Sequence, residues 1–157
     1  MAPQIEADED YTLVKQIMQA ADILGKVRDR ELLPQNLSAS AADILFLVDA
    51  MGNDVTAAKI AKKLVCEQQS IYDLLKRMET HGLVNRTKNM KNKSLIRITL
   101  TTKGKNALKQ AMKQKGTALV LARLTEERRS ELKRALNDIK EAGMKELYHD
   151  PNVILWP

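Results

Sequence analysis

Apolar side chains recur every three or four residues along most of the chain, which is the spacing of one face of an α-helix. Between residues 83 and 100 the spacing shortens to two, as in a β-strand. The pattern predicts helices over 11–32, over a segment that ends before Gly52, and over 57–64, 67–80, 102–123 and from 126 onward. It predicts strands over 83–87 and 95–100, joined by a polar tip at 88–93. The predicted fold class is therefore mainly α with one small β-hairpin.

Residues that cap or end helices agree with these boundaries. Ser38 or Ser40 can cap the second helix, and Thr56 and Thr125 stand at the expected starts of the third and the last. Gly82 follows the 67–80 helix, where a left-handed residue commonly ends a helix.

Charge is distributed unevenly along the chain. The formal net charge is +6, yet residues 1–55 carry −6 and residues 56–98 carry +7. The predicted hairpin holds five cations in twelve residues, with no acidic side chain among them. These cations are Arg86, Lys88, Lys91, Lys93 and Arg97. Such a positive block attracts a polyanion.

Helix, helix, short turn, helix and hairpin is the element order of a winged helix-turn-helix. An α-helix fits the major groove of DNA, and a basic hairpin can reach the neighbouring minor groove or the backbone. In the 67–80 helix, Ile71, Leu74, Leu75 and Met78 form the predicted buried stripe, so the opposite face is polar. We expect Gln68, Gln69 and Ser70, near its start, to read base edges. The full set of candidate DNA-binding residues is Thr56, Gln68, Gln69, Ser70, Tyr72, Asp73, Lys76, Arg77, Arg86, Lys88, Lys91, Lys93 and Arg97.

Composition argues against several other classes of protein. One cysteine, Cys66, excludes an internal disulfide, and one Cys with two His cannot supply a four-ligand zinc site. We expect no metal, no cofactor and no enzymatic activity, because the sequence contains no Gly-rich phosphate loop and no nucleophile with a recognisable base. The absence of a long apolar run and of a signal peptide leads us to expect a cytoplasmic protein without membrane contact.

Several short motifs occur together in the middle of the chain. They are Thr56…Ile60-Ala61…Leu64, then Ser70-Ile71…Leu74-Leu75…Arg77-Met78-Glu79…His81-Gly82-Leu83-Val84…Arg86, and finally Leu100-Thr101-Thr102-Lys103-Gly104. With these motifs, residues 39–109 resemble the MarR family of bacterial and archaeal transcription regulators.

This resemblance implies an organisation that residue spacing does not show. MarR-type proteins are homodimers, and most often repressors, that bind double-stranded DNA at pseudo-palindromic sites. Many are released by a small aromatic or phenolic effector. The implied domains are an N-terminal dimerisation helix (1–36), a winged helix-turn-helix DNA-binding lobe (37–101), and C-terminal dimerisation helices with a tail (102–157).

The sequence departs from the family pattern at the tip of the wing. The family commonly has Asp-x-x-Asp-Arg-Arg there, whereas this chain has Asn89, Asn92, Lys93 and Ser94 at the aligned positions. Lysine lacks the forked donor geometry of arginine. We therefore expect a wing that carries Lys91 and Lys93 to enter the DNA groove less deeply, and to select bases less strongly, than a wing that carries the family's arginine.

Some features have two interpretations at this stage. The winged helix could instead be a protein–protein interaction module without sequence-specific DNA binding, although five hairpin cations argue against that function. Cys66, just before the 67–80 helix, is either a small buried apolar residue or a thiol activated by the helix N-terminus. His81 is expected to cap carbonyls at the end of that helix. The apolar tail around Trp156 is expected to pack on a partner subunit or on the dimer region.

Replacing Lys91 and Lys93 together by Ala should weaken binding to every duplex sequence, because phosphate contacts supply affinity without base information. The dependence of the affinity on salt concentration should flatten as well. Fluorescence anisotropy with labelled duplex over a salt series measures both quantities. Unchanged affinity and slope would remove these two lysines from the interface.

Overall fold

A computed structural model of the protein describes residues 8–88 and 96–148. The elements in chain order are α1 (Glu9–Leu32), α2 (Ala39–Met51), α3 (Ala57–Leu64), α4 (Gln68–Thr80), β1 (Val84–Lys88), β2 (Ile96–Leu100), α5 (Thr102–Ala111), α6 (Lys115–Leu121) and α7 (Glu126–Tyr148). Short 3-10 turns at Leu33–Gln35 and Gly52–Asp54 flank α2. The predicted fold class, a mainly helical winged helix-turn-helix, is confirmed.

Side-chain oxygens accept hydrogen bonds from first-turn amides at four helix starts. The Ser38 Oγ accepts from the amide of Ala41 at 3.2 Å, so Ser38 rather than Ser40 caps α2. Thr56 caps α3 and Thr125 caps α7, as predicted, each through its Oγ1 at 3.3 Å. Thr101 caps α5 through the amide of Gly104 at 2.9 Å. Each cap satisfies an amide that has no partner within its helix.

The core lies between α2, α3, α4 and the hairpin. Its largest fully buried side chains include Ile44 and Leu47 of α2, Ile60 of α3, Leu75 of α4 and Ile98 of β2. Burial of apolar surface on this scale is the main force that holds the lobe together. The described part of the core contains no buried polar or charged residue.

The hairpin is a two-stranded antiparallel ladder that pairs Val84 with Leu100 and Arg86 with Ile98. Strand β1 begins at Val84, one residue later than predicted. The reason is that the amide of Leu83 still donates a hydrogen bond to the Met78 carbonyl near the end of α4. Lys88, predicted in the tip, is the last residue of β1, whereas residues 89–95, which include Lys91 and Lys93, lie outside the described residues.

The predicted single helix over 102–123 is wrong, since α5 ends at Ala111 and α6 begins at Lys115. Gln114, in the left-handed conformation with φ of 43°, makes the turn. The Glu31 carboxylate of α1 accepts a hydrogen bond from the amide of Gly116 at 2.7 Å. A Cβ at Gly116 would make an ordinary van der Waals contact, at 3.4 Å, with the side chain of Val27, so α6 packs against α1 at this point without requiring a glycine.

The flanking helices are far less buried than the lobe. The apolar face predicted for the last helix exists, but Met144 is the only buried residue of α7. Large apolar side chains that stay exposed in the single chain include Leu13, Val14, Met18 and Ile23 of α1, Leu119 of α6, and Leu132, Leu136, Ile139 and Leu147 of α7. Among the described helices, none is long and apolar enough to cross a membrane.

Gly104→Ala is expected to destabilise the protein by about 1–3 kcal/mol, the usual range for overpacking. A Cβ at this position would overlap the backbone carbonyl of Leu83, which cannot move without shifting β1. The matched control is Gly143→Ala in α7, where a Cβ meets open space. The control should be neutral or gain up to about 1 kcal/mol from better helix propensity. Urea unfolding of both variants checks this, and equal midpoints would contradict the close approach.

Candidate nucleic-acid interface

A tight turn separates α3 from α4. Val65 ends α3 in the left-handed conformation with φ of 52°, and the Cys66 amide donates to the Ala61 carbonyl at 3.0 Å. A β-branched residue rarely adopts this conformation, so packing of α3 against α4 must hold it there. The turn sets the angle at which α4 leaves α3.

Helix α4 has one buried face and one exposed polar face, as the sequence predicts. Ile71, Leu75 and Met78 are buried and Leu74 is half-buried. The exposed candidate residues are Gln68, Gln69, Ser70, Asp73, Lys76 and Arg77. Tyr72 is half-buried, so most of its ring belongs to the lobe. The helix N-terminus, which starts after Glu67, carries no side-chain cap.

Two residues on the exposed face of α4 contact each other. The Gln69 Nε2 donates a hydrogen bond to the Asp73 Oδ1 at 3.2 Å. This bond directs the Gln69 carbonyl oxygen away from Asp73 and leaves the second amide hydrogen available. An outward carbonyl and amide hydrogen are the pair with which glutamine recognises adenine in the major groove.

Thr56, Gln68 and Tyr72 line a small cavity of about 160 Å³ between α3, α4 and the hairpin, together with Arg86 and Ile98. The structure therefore brings four candidates together at the base of the wing. Since Thr56 caps α3 with its side chain, its hydroxyl has a structural role as well.

A second cavity, of about 280 Å³, reveals a cation that sequence reasoning missed. Lys59 of α3 lines it together with Thr56 and Arg97, and its Nζ donates to the Asp54 carbonyl at 2.9 Å. Lys59 lies on the exposed side of a helix with a strong apolar face. The amphipathic pattern of α3, together with the helix-turn-helix order, could have identified Lys59 as an exposed cation near the DNA-binding surface.

The hairpin cations do not share one face. Side chains alternate along a strand, and cross-strand partners share a face. Arg86 and Lys88 therefore lie on the face of Ile98, whereas Arg97 lies on the opposite face with Thr87. Lys88 and Arg97 are exposed, so cations are available on both sides of the ribbon.

Among the candidate cations that the structure describes, Arg86 is the one with an ion pair to a carboxylate. Its Nε and one terminal nitrogen lie 2.8 and 2.7 Å from the Glu79 Oε2, and its backbone amide donates to the Glu79 Oε1 at 3.1 Å. Hydrogen bonds from the Arg86 side chain, opposed by some desolvation, hold the pKa of Glu79 below its usual value. The role of Arg86 as a DNA contact stays a prediction, but the structure gives this residue a second role.

The C-terminal end of α4 is anchored by residues from α5. The Lys103 Nζ donates to the His81 carbonyl at 2.8 Å, and the Thr101 Oγ1 donates to the Gly82 carbonyl at 2.6 Å. The His81 ring nitrogen Nδ1 lies 2.8 Å from the Arg77 carbonyl, so the predicted capping role is confirmed. Gly82 has φ of 70°, as its predicted position requires.

Both sequence-based interpretations of Cys66 disagree with the structure. The residue is exposed, so it is not a buried apolar residue. Partial desolvation and, second, the Glu67 carboxylate raise the pKa of its thiol. The uncapped N-terminus of α4 does not outweigh these two effects.

The sequence and the fold match one family of proteins. The family model described as MarR matches residues 37–93. The organohalide-sensing transcriptional regulator RdhR, solved with 2,4-dichlorophenol, has 26% identity and a TM-score of 0.87, covering 100% of this chain and 95% of RdhR. Over residues 37–93 the chain therefore resembles the MarR family, and along its whole length it shares the winged-helix fold of a protein solved as a transcriptional regulator.

More distant MarR-family structures share the same fold. A MarR variant from E. coli, solved with operator DNA, has 20% identity and a TM-score of 0.78 over 87% of this chain and 99% of that one. MosR of M. tuberculosis, solved with DNA, has 24% identity and a TM-score of 0.73 over 90% and 99%. No curated protein sequence matches this chain significantly.

The structure explains why the MarR-like motifs have their spacing. Glu79 and Arg86 form one ion pair across the turn between α4 and β1. Thr101 and Gly104 stand one helical turn apart because the threonine caps the glycine amide while the glycine approaches Leu83. Both motifs therefore fix α4 against the elements that follow it.

Cys66 is expected to react slowly with iodoacetamide at neutral pH, because only the thiolate is nucleophilic and its raised pKa keeps that form scarce. The alkylation rate should keep rising with pH beyond about 8.5, the usual thiol value. Glu67→Gln should increase the rate by removing the neighbouring charge. A rate that levels off near neutral pH would instead support a Cys66 thiol that is activated by the N-terminus of α4.

Proposed function

We propose that this chain is a homodimeric repressor that binds a pseudo-palindromic operator in double-stranded DNA and is released by a small-molecule effector. The observation that carries the proposal is the exposed polar face of α4, with its uncapped N-terminus, beside a wing that carries exposed cations on both of its faces. An exposed helix of this kind enters the major groove, where each base pair presents a distinct set of donors and acceptors.

Base recognition is assigned to the first turns of α4. Gln68, Gln69 and Ser70 are exposed there, and Asp73 holds the Gln69 amide in one orientation. Asp73 can also accept from the exocyclic amine of cytosine. Lys76 and Arg77, further along the helix, are assigned to phosphates, which give register rather than sequence information.

Phosphate binding is assigned to cations around this helix. Lys59 of α3 lines one cavity with Arg97 of the wing, and Lys88 and Arg97 lie on opposite faces of the wing. Lys91 and Lys93, which lie outside the described residues, add to the same charge. Because residues 56–98 carry a net charge of +7, the affinity should fall steeply with salt.

A second copy of the chain is the proposed cover for the flanking helices. Exposed apolar side chains in such number are costly in a monomer. An apolar groove of about 330 Å³ between α6 and α7 has a basic rim that includes Arg129, Lys133 and Lys140. Helix α1 begins with Glu9 and Asp10 and continues with an exposed apolar face, so the partner's α1 fits this groove in shape and charge.

This dimer gives the three parts of the chain their proposed roles. Residues 1–36 and 102–157 would form the dimer region, and residues 37–101 the DNA-binding lobe. The tail with Trp156, for which packing on this region is predicted from the sequence, lies outside the described residues. As a DNA-binding regulator, the protein would act in the cytoplasm.

Binding of a small-molecule effector is supported by relatives rather than by a site in this chain, and repression is proposed from the family resemblance. RdhR was solved with 2,4-dichlorophenol, and an M. tuberculosis MarR-family protein was solved with salicylic acid at 24% identity. An aromatic or phenolic effector is therefore the chemistry to test first. Such a compound can release DNA only if it binds the DNA-free conformation more tightly.

In vitro selection of bound duplexes from random DNA at moderate salt tests the proposal. The selected sites should be palindromes whose half-sites are about one helical turn apart, because each subunit inserts one α4. Gln69→Ala should relax the preference at one position in each half-site, at a cost of about 1–3 kcal/mol for the preferred base. Ser40→Ala, at an exposed position of α2 that belongs neither to the candidate DNA-binding residues nor to the proposed dimer region, is the matched control.

Different results would point to other functions. Selection of asymmetric single sites would contradict the dimer. Absence of duplex binding at low salt would favour a protein–protein interaction module. An unchanged base preference in Gln69→Ala would move base reading to another residue.

A further inference from the structure

The hairpin cation Arg86 and the α4 carboxylate Glu79 are joined by several polar contacts. One carboxylate receives bonds from the Arg86 Nε, from a terminal nitrogen of its guanidinium and from its backbone amide, at 2.7–3.1 Å. The two side chains keep 21% and 37% of their surface exposed, for Arg86 and Glu79 respectively. A forked pair of this kind fixes direction as well as distance.

We propose that Arg86 is a positioning residue, which together with Glu79 sets the angle between α4 and the wing, and that it is not a phosphate contact. The proposal rests on the proposed DNA-binding function. Arg86, one of the five hairpin cations, then orients α4 and the wing instead of adding affinity through a phosphate.

The location of the pair supports this role. Glu79 lies in the last turn of α4, and Arg86 is the third residue of β1. The turn between them is anchored to α5 through the carbonyls of His81 and Gly82. The ion pair therefore supplies a separate, lateral connection between helix and strand.

The position of the Arg86 side chain also supports a positioning role. Arg86 shares its strand face with the buried Ile98 and lines the cavity beside Gln68 and Tyr72. Lys88, two residues further along the same face, is exposed and stands nearer the tip. A phosphate contact at Arg86 would have to compete with a carboxylate already in contact with it.

The two roles predict opposite effects for one substitution. If only charge mattered, Glu79→Gln would tighten DNA binding, because it removes a negative charge near a polyanion. If the pair positions α4 and the wing, Glu79→Gln must weaken binding. The same logic separates Arg86 from Lys88 through the salt dependence of the affinity.

The experiment measures affinity for the selected duplex over a salt series, by fluorescence anisotropy. The variants are Glu79→Gln, Arg86→Gln and the double variant. Glu67→Gln, at the other end of α4, is the charge-matched control for Glu79, and Lys88→Gln is the control for Arg86. Urea unfolding of each variant confirms that the measurements use folded protein.

We expect each single variant of the pair to bind about tenfold more weakly, with the double variant no weaker than the singles, since the residues act as one unit. Their salt slopes should match the wild type. Glu67→Gln should bind as well as the wild type or better. Lys88→Gln should lower the slope by about 0.9 for each phosphate that is no longer neutralised, and this effect doubles in a dimer.

Other outcomes overturn the proposal. Unchanged or tighter binding by Glu79→Gln, together with a flatter salt slope for Arg86→Gln, would make Arg86 a phosphate contact. If Arg86→Gln does not fold, Arg86→Lys replaces it, because lysine keeps the charge but loses the fork. Weaker binding with an unchanged slope would support positioning, and wild-type affinity would refute it. A wild-type protein that binds no duplex would instead refute the proposed function itself.

Discussion

The arrangement of the lobe depends on the contact between the start of α5 and the backbone that follows α4. Thr101 bonds to the Gly82 carbonyl, Lys103 bonds to the His81 carbonyl, and Gly104 leaves room for Leu83. These contacts tie the end of one helix, the start of a strand and the start of another helix to the same three residues. The direction of α4, and with it the proposed reading of DNA, follows from this junction.

Much of the lobe could be predicted from local sequence. Thr56 and Gly82 lie at helix ends that their own side chains, or the lack of one, determine. The buried stripe of α4 follows from residue spacing alone. The break at Gln114 could not be predicted in this way, because its stabilising partner, Glu31, lies on a distant helix.

The candidate site was predicted less completely than the fold. Spacing identified which residues of α4 face outward, but the partners of those residues depend on tertiary structure. Arg86 counted as one of five equal cations in the sequence, whereas the structure pairs it with Glu79. Cys66 shows a similar limit, since partial desolvation and, second, the Glu67 carboxylate raise the pKa of its thiol despite its place before a helix. A pattern of apolar residues reports neither the charged partner of Arg86 nor the surroundings of this thiol.

The bond from Glu31 to Gly116 also bears on the order in which the chain folds. It joins residues 85 positions apart, whereas each strand pair of the hairpin spans at most 16 positions. Closing a longer loop costs more chain entropy, so contacts between distant residues tend to form late. We expect the lobe to acquire its structure first and α1 to dock afterwards on α6. Newly synthesised chains would then pass through an intermediate in which the lobe is folded and α1 has not yet docked on α6.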